Sequence, residues 1–284
     1  MIKRRCFFVI TSLYILLISV VAGTLGSILG LGGGTVITPA LTMLFGIDIR
    51  YAIGASLISV IATSSGSAVA YIRDKITNVR IGMFLEIATT TGAITGAFIG
   101  GLIAPNLLYV LFGFLLLYSA VMMLKRRNEE LPQNVKRSPL SEKFKLNGQY
   151  YDKALKKDVA YNVDNVQGAF GVMYGAGIIS GLLGIGSGSF KVMAMDMFMK
   201  LPLKVSSATS NFMMGVTAAA SAGVYLLRGE IDPKIAAPVA LGVLAGATLG
   251  TKIMQRMKSK TIRKIFIPFL AYIAIQMIIK GVRV

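Results

Sequence analysis

Ten apolar stretches organise this chain, separated by short polar or glycine-rich joints and by one long charged interval. Five precede the interval: Phe7–Leu29, Thr35–Phe45, Tyr51–Tyr71, Ile81–Ile103 and Leu107–Leu124. Five follow it: Val166–Leu183, Ser189–Met199, Val205–Leu227, Ile235–Met254 and Ile265–Ile279. Most approach the length of a membrane-spanning helix, about 20 residues for about 30 Å of hydrocarbon. The second stretch of each set is shorter, and its eleven residues rise only about 16 Å as a helix. It cannot cross alone. The pattern predicts an all-α polytopic membrane protein: residues 1–124 a first transmembrane repeat, 125–165 a polar loop, and 166–284 a second transmembrane repeat. Each repeat is expected to hold a broken-helix hairpin and three membrane-spanning helices.

The joints before the short stretches are twins. Gly30-Leu-Gly-Gly-Gly-Thr35 matches Gly184-Ile-Gly-Ser-Gly-Ser189 position for position. Glycine inside a helix costs about 1 kcal/mol relative to alanine, so three at alternate positions predict a break that bares backbone amides. In a membrane such a break is tolerated only where it is buried in protein or lines a polar cavity. Paired breaks in two halves of a chain point to a transporter's binding site. Further correspondences extend the repeat. Gly54-Ala55-Ser56 matches Ala208-Thr209-Ser210, and Tyr71 matches Tyr225. Gly92, Gly96 and Gly100 match Gly242, Gly246 and Gly250. Four-residue spacing puts each glycine trio on one helix face, the small-residue pattern that lets membrane helices approach closely.

Lys125–Asn165 is polar, contains Pro132 and Pro139, and carries two aromatic runs, Tyr150-Tyr151-Asp152 and Val159–Val163, that read as a small hairpin. Its basic excess predicts a cytoplasmic loop. Arg73, Lys75 and Arg80 should also be cytoplasmic, as should Arg256, Lys258, Lys260, Arg263 and Lys264. These two clusters occupy different places in their repeats, so both lie inside only if the repeats are inverted. Lys3-Arg4-Arg5 dissents, because inversion puts the N-terminus outside. That basic start followed by Cys6–Val21 has the look of a signal peptide. The same apolar approach to a glycine joint recurs at Val166–Leu183, so the first stretch is read as part of the fold.

Composition narrows the function. The chain is 55% hydrophobic and carries a net charge of +18, with 30 basic and 12 acidic residues. Positive-inside retention explains much of that charge, and the remaining positive field favours anions. Nucleic-acid binding is not expected, because the basic residues flank membrane segments. One cysteine and no histidine argue against zinc sites and histidine-based triads. No metal and no cofactor are expected. The phosphate-binding pattern GxxxxGK[ST] is absent.

These residues resemble the sulfite exporter TauE/SafE family of membrane transporters. The resemblance covers both repeats, and its carriers are Gly30–Thr35 with Pro39, Gly184–Val192, Leu201-Pro202, Ala208–Phe212 and Arg228–Pro233. Ser187 stands where the family usually has the middle glycine, and Met193 where it usually has proline. The resemblance implies a transporter of small anions, chiefly sulfite and organosulfonates, in a multi-pass prokaryotic plasma membrane. It leaves the oligomeric state open, a homodimer included.

Candidate substrate-binding residues follow from the joints. Gly32, Gly33, Gly34 and Thr35, with Gly186, Ser187, Gly188 and Ser189, would open two helix N-termini near the bilayer middle. Such termini attract anions, and Thr35 and Ser189 add hydroxyls or caps. Ser56, Ser210 and Asn211 lie close by in the third stretches and serve either the substrate or interhelical hydrogen bonds. Thr63–Ser67 reads as packing. Lys191 lies nine residues before Lys200, about 13 Å along a helix, deep enough to be a functional residue by default. Its expected role is an anion contact; the alternative is a salt bridge, with Asp196 the nearest carboxylate. Glu86, near the start of its stretch, is read as an interface residue, with a proton-coupling carboxylate as the alternative. A secondary transporter with alternating access is the leading expectation. An anion channel with the same broken-helix site is the alternative, and a membrane-embedded enzyme a distant third.

Overall fold

The computed structural model describes residues 2–30, 32–125, 138–257 and 259–283. Its helices are α1 (Ile2–Leu29), α2 (Gly34–Leu44), α3 (Ile49–Arg73), α4 (Val79–Gly100), α5 (Pro105–Lys125), α6 (Pro139–Lys143), α7 (Val166–Leu183), α8 (Gly188–Met197), α9 (Leu203–Leu227), α10 (Pro233–Arg256) and α11 (Ser259–Arg283). Strands β1 (Gly148–Asp152) and β2 (Lys157–Tyr161) lie between α6 and α7. They pair antiparallel, Tyr150 opposite Val159, as the two aromatic runs predict. Pro132, Lys258, and the side chains of Lys3, Arg4, Arg5, Ser189, Lys260 and Arg263 lie outside the described residues.

The protein is mostly helical, and α3, α4, α7, α9 and α10 are each long and apolar enough to cross a membrane. Polar side chains set their starts. Asp48, Asn78, Asn165 and Asp232 accept hydrogen bonds from the first-turn amides of α3, α4, α7 and α10, satisfying donors that a helix leaves open. The outward surface is apolar, with Leu227 90% and Leu102 89% exposed, as lipid contact requires.

The two glycine trios close helix pairs. Gly92 and Gly96 of α4 press on the carbonyl oxygens of Tyr174 and Ile178 of α7. Gly242 and Gly246 of α10 press on those of Leu16 and Val20 of α1. Contact positions ascend together in both pairs, so each pair runs parallel. In α5 and α11, Gly113 meets Ala274 while Gly281 meets Asn106, an antiparallel pair. The third helices, α3 and α9, pack against each other and carry much of the main core.

One face of the bundle collects the polar connections. Asp74, just after α3, accepts from Lys153 of the hairpin turn at 3.1 Å and from Gln255 near the end of α10 at 2.7 Å. Asn78 at the start of α4 donates to Leu146 and Tyr161 on the same side. Helix α1 therefore runs toward this face beside α10, and α7 runs away from it beside α4. Arg73, Lys75, Arg80 and Arg256 belong to this face.

Asp152 fastens the hairpin. Its carboxylate pairs with Lys204 of α9 at 2.7 Å, both side chains buried, and accepts from the amides of Ala154 and Leu155. Burial acts to raise its pKa, yet the Lys204 ammonium and the two amides hold it below its ordinary 3.8. A carboxylate depressed on folding stabilises above its unfolded pKa and loses that contribution as pH falls through its folded one. Proteolysis within 153–158 of detergent-solubilised protein should therefore stay slow down to about pH 4 and accelerate only at lower pH. In Asp152→Asn it should be fast at neutral pH.

Candidate functional site

The two glycine turns adopt matching backbone angles. Gly30 and Gly184 have φ +66, and Gly32 and Gly186 have φ +68, a region that side chains disfavour and glycine enters freely. Helix α2 then starts after Gly33, and α8 after Ser187. Gly33 has an ordinary φ of −64. Ser187, at the corresponding place, has φ +49, so at this position the second turn is left-handed where the first is right-handed.

Each turn is held by a serine from the opposite half. Ser56 of α3 donates to the Gly184 carbonyl at 2.6 Å, and Ser210 of α9 donates to the Gly30 carbonyl at 2.7 Å. The turns are therefore neighbours: a side chain at Gly34 would meet both the Ser56 hydroxyl and the Gly184 carbonyl. Gly32 and Gly186 both face Val60 and Met214, which stand between the turns. Asn211 donates to the carbonyls of Ser27 and Ser207, locking α9 to the end of α1.

Buried hydroxyls gather here with nothing to bond. Thr35 and Thr38 on α2, Ser59 on α3 and Ser187 at the second turn are buried, and among the described residues their hydroxyl oxygens have no hydrogen-bond partner; the same holds for Asn211 Oδ1. An unsatisfied buried polar group costs about 1–3 kcal/mol, and several around one locus call for an explanation. The first-turn amides of α2 and α8 add further donors, since neither helix has a side-chain cap. Chemically this is a buried, donor-rich locus with the positive ends of two helix dipoles.

Placement of the expected residues divides three ways. Gly32, Gly33, Gly34 and Thr35 meet Gly186, Ser187 and Gly188 at the turns. Thr35 sits inside the first turn of α2, so Gly33 and not Thr35 takes the cap position. The side chain of Ser189 is not among those described. Ser56 and Ser210 are committed to main-chain carbonyls, so they set the turns rather than offer free protons. Ser59 and Thr38 escaped sequence reading because nothing in their spacing marks them. Thr63 and Thr217 stand at the same offset from their glycine turns, a signal that was available. Thr63, read as packing, accepts from the Gly33 amide at 3.1 Å.

Lys191 has a carboxylate partner other than the one nearest in sequence. Its side chain is fully buried, donates to Thr217 Oγ1 at 2.5 Å and lies 3.6 Å from Glu86 Oε2. Glu86 and not Asp196 is its carboxylate. Glu86 itself corrects the interface reading: it lies about 10 Å into α4, 13% exposed, and accepts from Thr89, Thr90 and Thr217. Asp196, five positions on, falls off the face Lys191 occupies.

Comparison with known proteins adds identity. The family model for the sulfite exporter TauE/SafE matches residues 15–277. The probable membrane transporter protein YunE of Bacillus subtilis is 31% identical over 276 residues, covering 94% of this chain and 97% of that protein. The probable membrane transporter protein YdhB of the same organism is 26% identical, covering 86% and 90%. A probable membrane transporter protein of Methanocaldococcus jannaschii is 25% identical, covering 88% of each. No solved structure matches the chain.

Proposed function

The chain belongs to the sulfite exporter TauE/SafE family, and from that premise we propose that it is a secondary transporter of sulfite or small organosulfonates in a prokaryotic plasma membrane. The anion binds between the two glycine turns. The observation that carries this reading is the set of buried, unpartnered hydroxyls of Thr35, Thr38, Ser59 and Ser187 beside two uncapped helix N-termini. A desolvated oxyanion needs several donors at once, and helix N-termini supply both amides and a favourable dipole.

The fold supports two inverted repeats, each with a broken-helix hairpin, because α1 runs toward the polar face and α7 away from it. Inversion gives the two halves opposite exposures in the membrane, the basis of alternating access. Val60 and Met214 fill the space between the turns, which fits a closed resting state. Basic residues on the face of Asp74 favour a cytoplasmic side for that face.

The test is uptake of labelled sulfite, sulfoacetate and taurine into proteoliposomes. Saturable, carrier-like uptake of at least one, with competition among them, is expected. Conductance far above carrier turnover would identify a channel, and no movement of any of the three would reject the substrate class.

A further inference from the structure

Lys191 and Glu86 share a buried site that the glycine turns alone do not explain. A charged pair inside a membrane protein is costly and is retained where charge has work to do. The two partners are unequally served. Glu86 accepts from three hydroxyls, those of Thr89 at 3.0 Å, Thr90 at 2.8 Å and Thr217 at 2.6 Å. Lys191, with three N–H donors, makes one hydrogen bond among the described residues, to Thr217. Its 3.6 Å approach to Glu86 is an ionic contact too long for a hydrogen bond. The carboxylate is thus satisfied largely without the lysine, while the ammonium keeps donors in reserve. Thr217 joins them, accepting from Lys191 and donating to Glu86.

Position and access separate their roles. Lys191 lies in the first turn of α8, its amide bonded to the Ser187 carbonyl at 2.9 Å, and its ammonium reaches across to Thr217 of α9 and Glu86 of α4. It has no exposed surface. Glu86 borders a cleft of about 420 Å³ between α4 and α9, walled by Met83, Ile87, Thr90, Phe212 and Val216. Met83, Ile87 and Val216 are more than half exposed, so this cleft opens onto the apolar outer surface, and of the pair only the carboxylate borders it.

We propose that Glu86 is the proton carrier of the transporter, and that its protonation releases Lys191 to bind the transported anion. The proposal rests on the transport reading above. A proton from water reaches Glu86 Oε when the site opens to one side of the membrane, and neutralises the carboxylate. Lys191 loses its counter-ion, and its spare donors take an oxyanion held at the second turn. Proton and monovalent anion together replace one negative charge with another, so the loaded site has the same net charge as the empty one. On the far side the anion leaves, the proton returns to water and the pair reforms. Lower pH on one side therefore favours anion entry from that side.

Other titratable groups on the helices around Glu86 are engaged or turned away. Arg80 at the start of α4 donates to the Lys145 carbonyl, Lys204 on α9 pairs with Asp152, and Tyr225 on α9 donates to the Leu182 carbonyl. Tyr174 on α7 is 42% exposed, and Asp196, farther along α8, is itself engaged.

The experiment loads proteoliposomes with a pH-sensitive dye and supplies isethionate, a sulfonate ionised at all working pH values, with labelled sulfite as a second probe. Wild-type protein should acidify the lumen as isethionate enters, with a proton for each anion, and an inward proton gradient should drive accumulation. Glu86→Gln, which mimics the protonated state and touches no substrate in this scheme, should exchange isethionate across the membrane without moving protons or responding to the gradient. Lys191→Gln should lose about tenfold or more in anion affinity. Wild-type isethionate entry without protons overturns the proposal whatever the variants do. Gradient-driven accumulation by Glu86→Gln also overturns it. So does loss of exchange in Glu86→Gln that the double variant Glu86→Gln/Lys191→Gln restores, since the pair would then only hold α8 to α4. If wild-type protein moves neither isethionate nor sulfite, the transport reading itself fails and takes this proposal with it.

Discussion

Gly186→Val abolishes transport while the protein still inserts and folds, and Gly32→Val does the same. At φ +68 a side chain clashes with its own backbone, at about 1–2 kcal/mol. At Gly186 the new Cβ also meets Val60 Cγ1 at 2.6 Å, and at Gly32 it meets Val60 Cγ2 at 3.0 Å. Overpacking adds about 1–3 kcal/mol. The sum, roughly 2–5 kcal/mol, is at or below the roughly 5–15 kcal/mol that holds a folded domain together. It is enough to reshape a turn whose amides must be correctly aimed. A displacement of about 1 Å in a positioned site costs about 100-fold in rate, so uptake should fall to about 1% of wild type or less. Gly33→Ala is the contrast. Its φ is −64 and its nearest neighbour would be Ser59 Oγ at 3.2 Å, so most transport should survive. Uptake at wild-type rate in both valine variants would remove the turns from the mechanism.

Gly96→Leu and Gly246→Leu should each destabilise the protein without touching the turns. A Cβ at Gly96 would overlap the Ile178 carbonyl oxygen, and one at Gly246 that of Val20, both well inside the 3.0 Å that Cβ atoms keep from other atoms. The neighbours are backbone, which cannot swing aside. Helices α4 and α7, or α1 and α10, must separate along their length. At about 1–3 kcal/mol of overpacking and about 2–4 °C per kcal/mol for a chain of this size, the melting temperature should drop by roughly 2–12 °C. Combining the two should give the sum, because the helix pairs are separate. Thermal unfolding followed by fluorescence in detergent measures this. Unchanged melting in either variant would show that the helix pair is not closed by its glycine face.

Features carried by chain order were legible in the sequence. Apolar length located the helices to within a few residues, and Val166–Leu183 coincides with α7. Residue type and spacing located the glycine turns, the glycine faces and the aromatic hairpin. What stayed hidden depends on tertiary contact. Lys191 and Glu86 lie on α8 and α4, far apart in the chain, so nearness in sequence pointed wrongly to Asp196. Glu86 seemed peripheral because its three threonine partners come from two helices. All the glycines of the first joint look alike in sequence, but the turn takes a positive φ at Gly32 and not at Gly33, so Gly32 is the position that needs a glycine. Ser59 and Thr38 are ordinary membrane hydroxyls until burial leaves them without partners.

Selenite offers the most direct test of the anion site, because it mimics sulfite and its selenium can be located by anomalous scattering. Crystals grown with selenite should show one strong peak at the first turns of α2 and α8, within hydrogen-bonding distance of the hydroxyl of Thr35, Ser59 or Ser187. A peak confined to the cleft beside Met83 and Val216, or to the outer surface, with none at the glycine turns, would contradict the account.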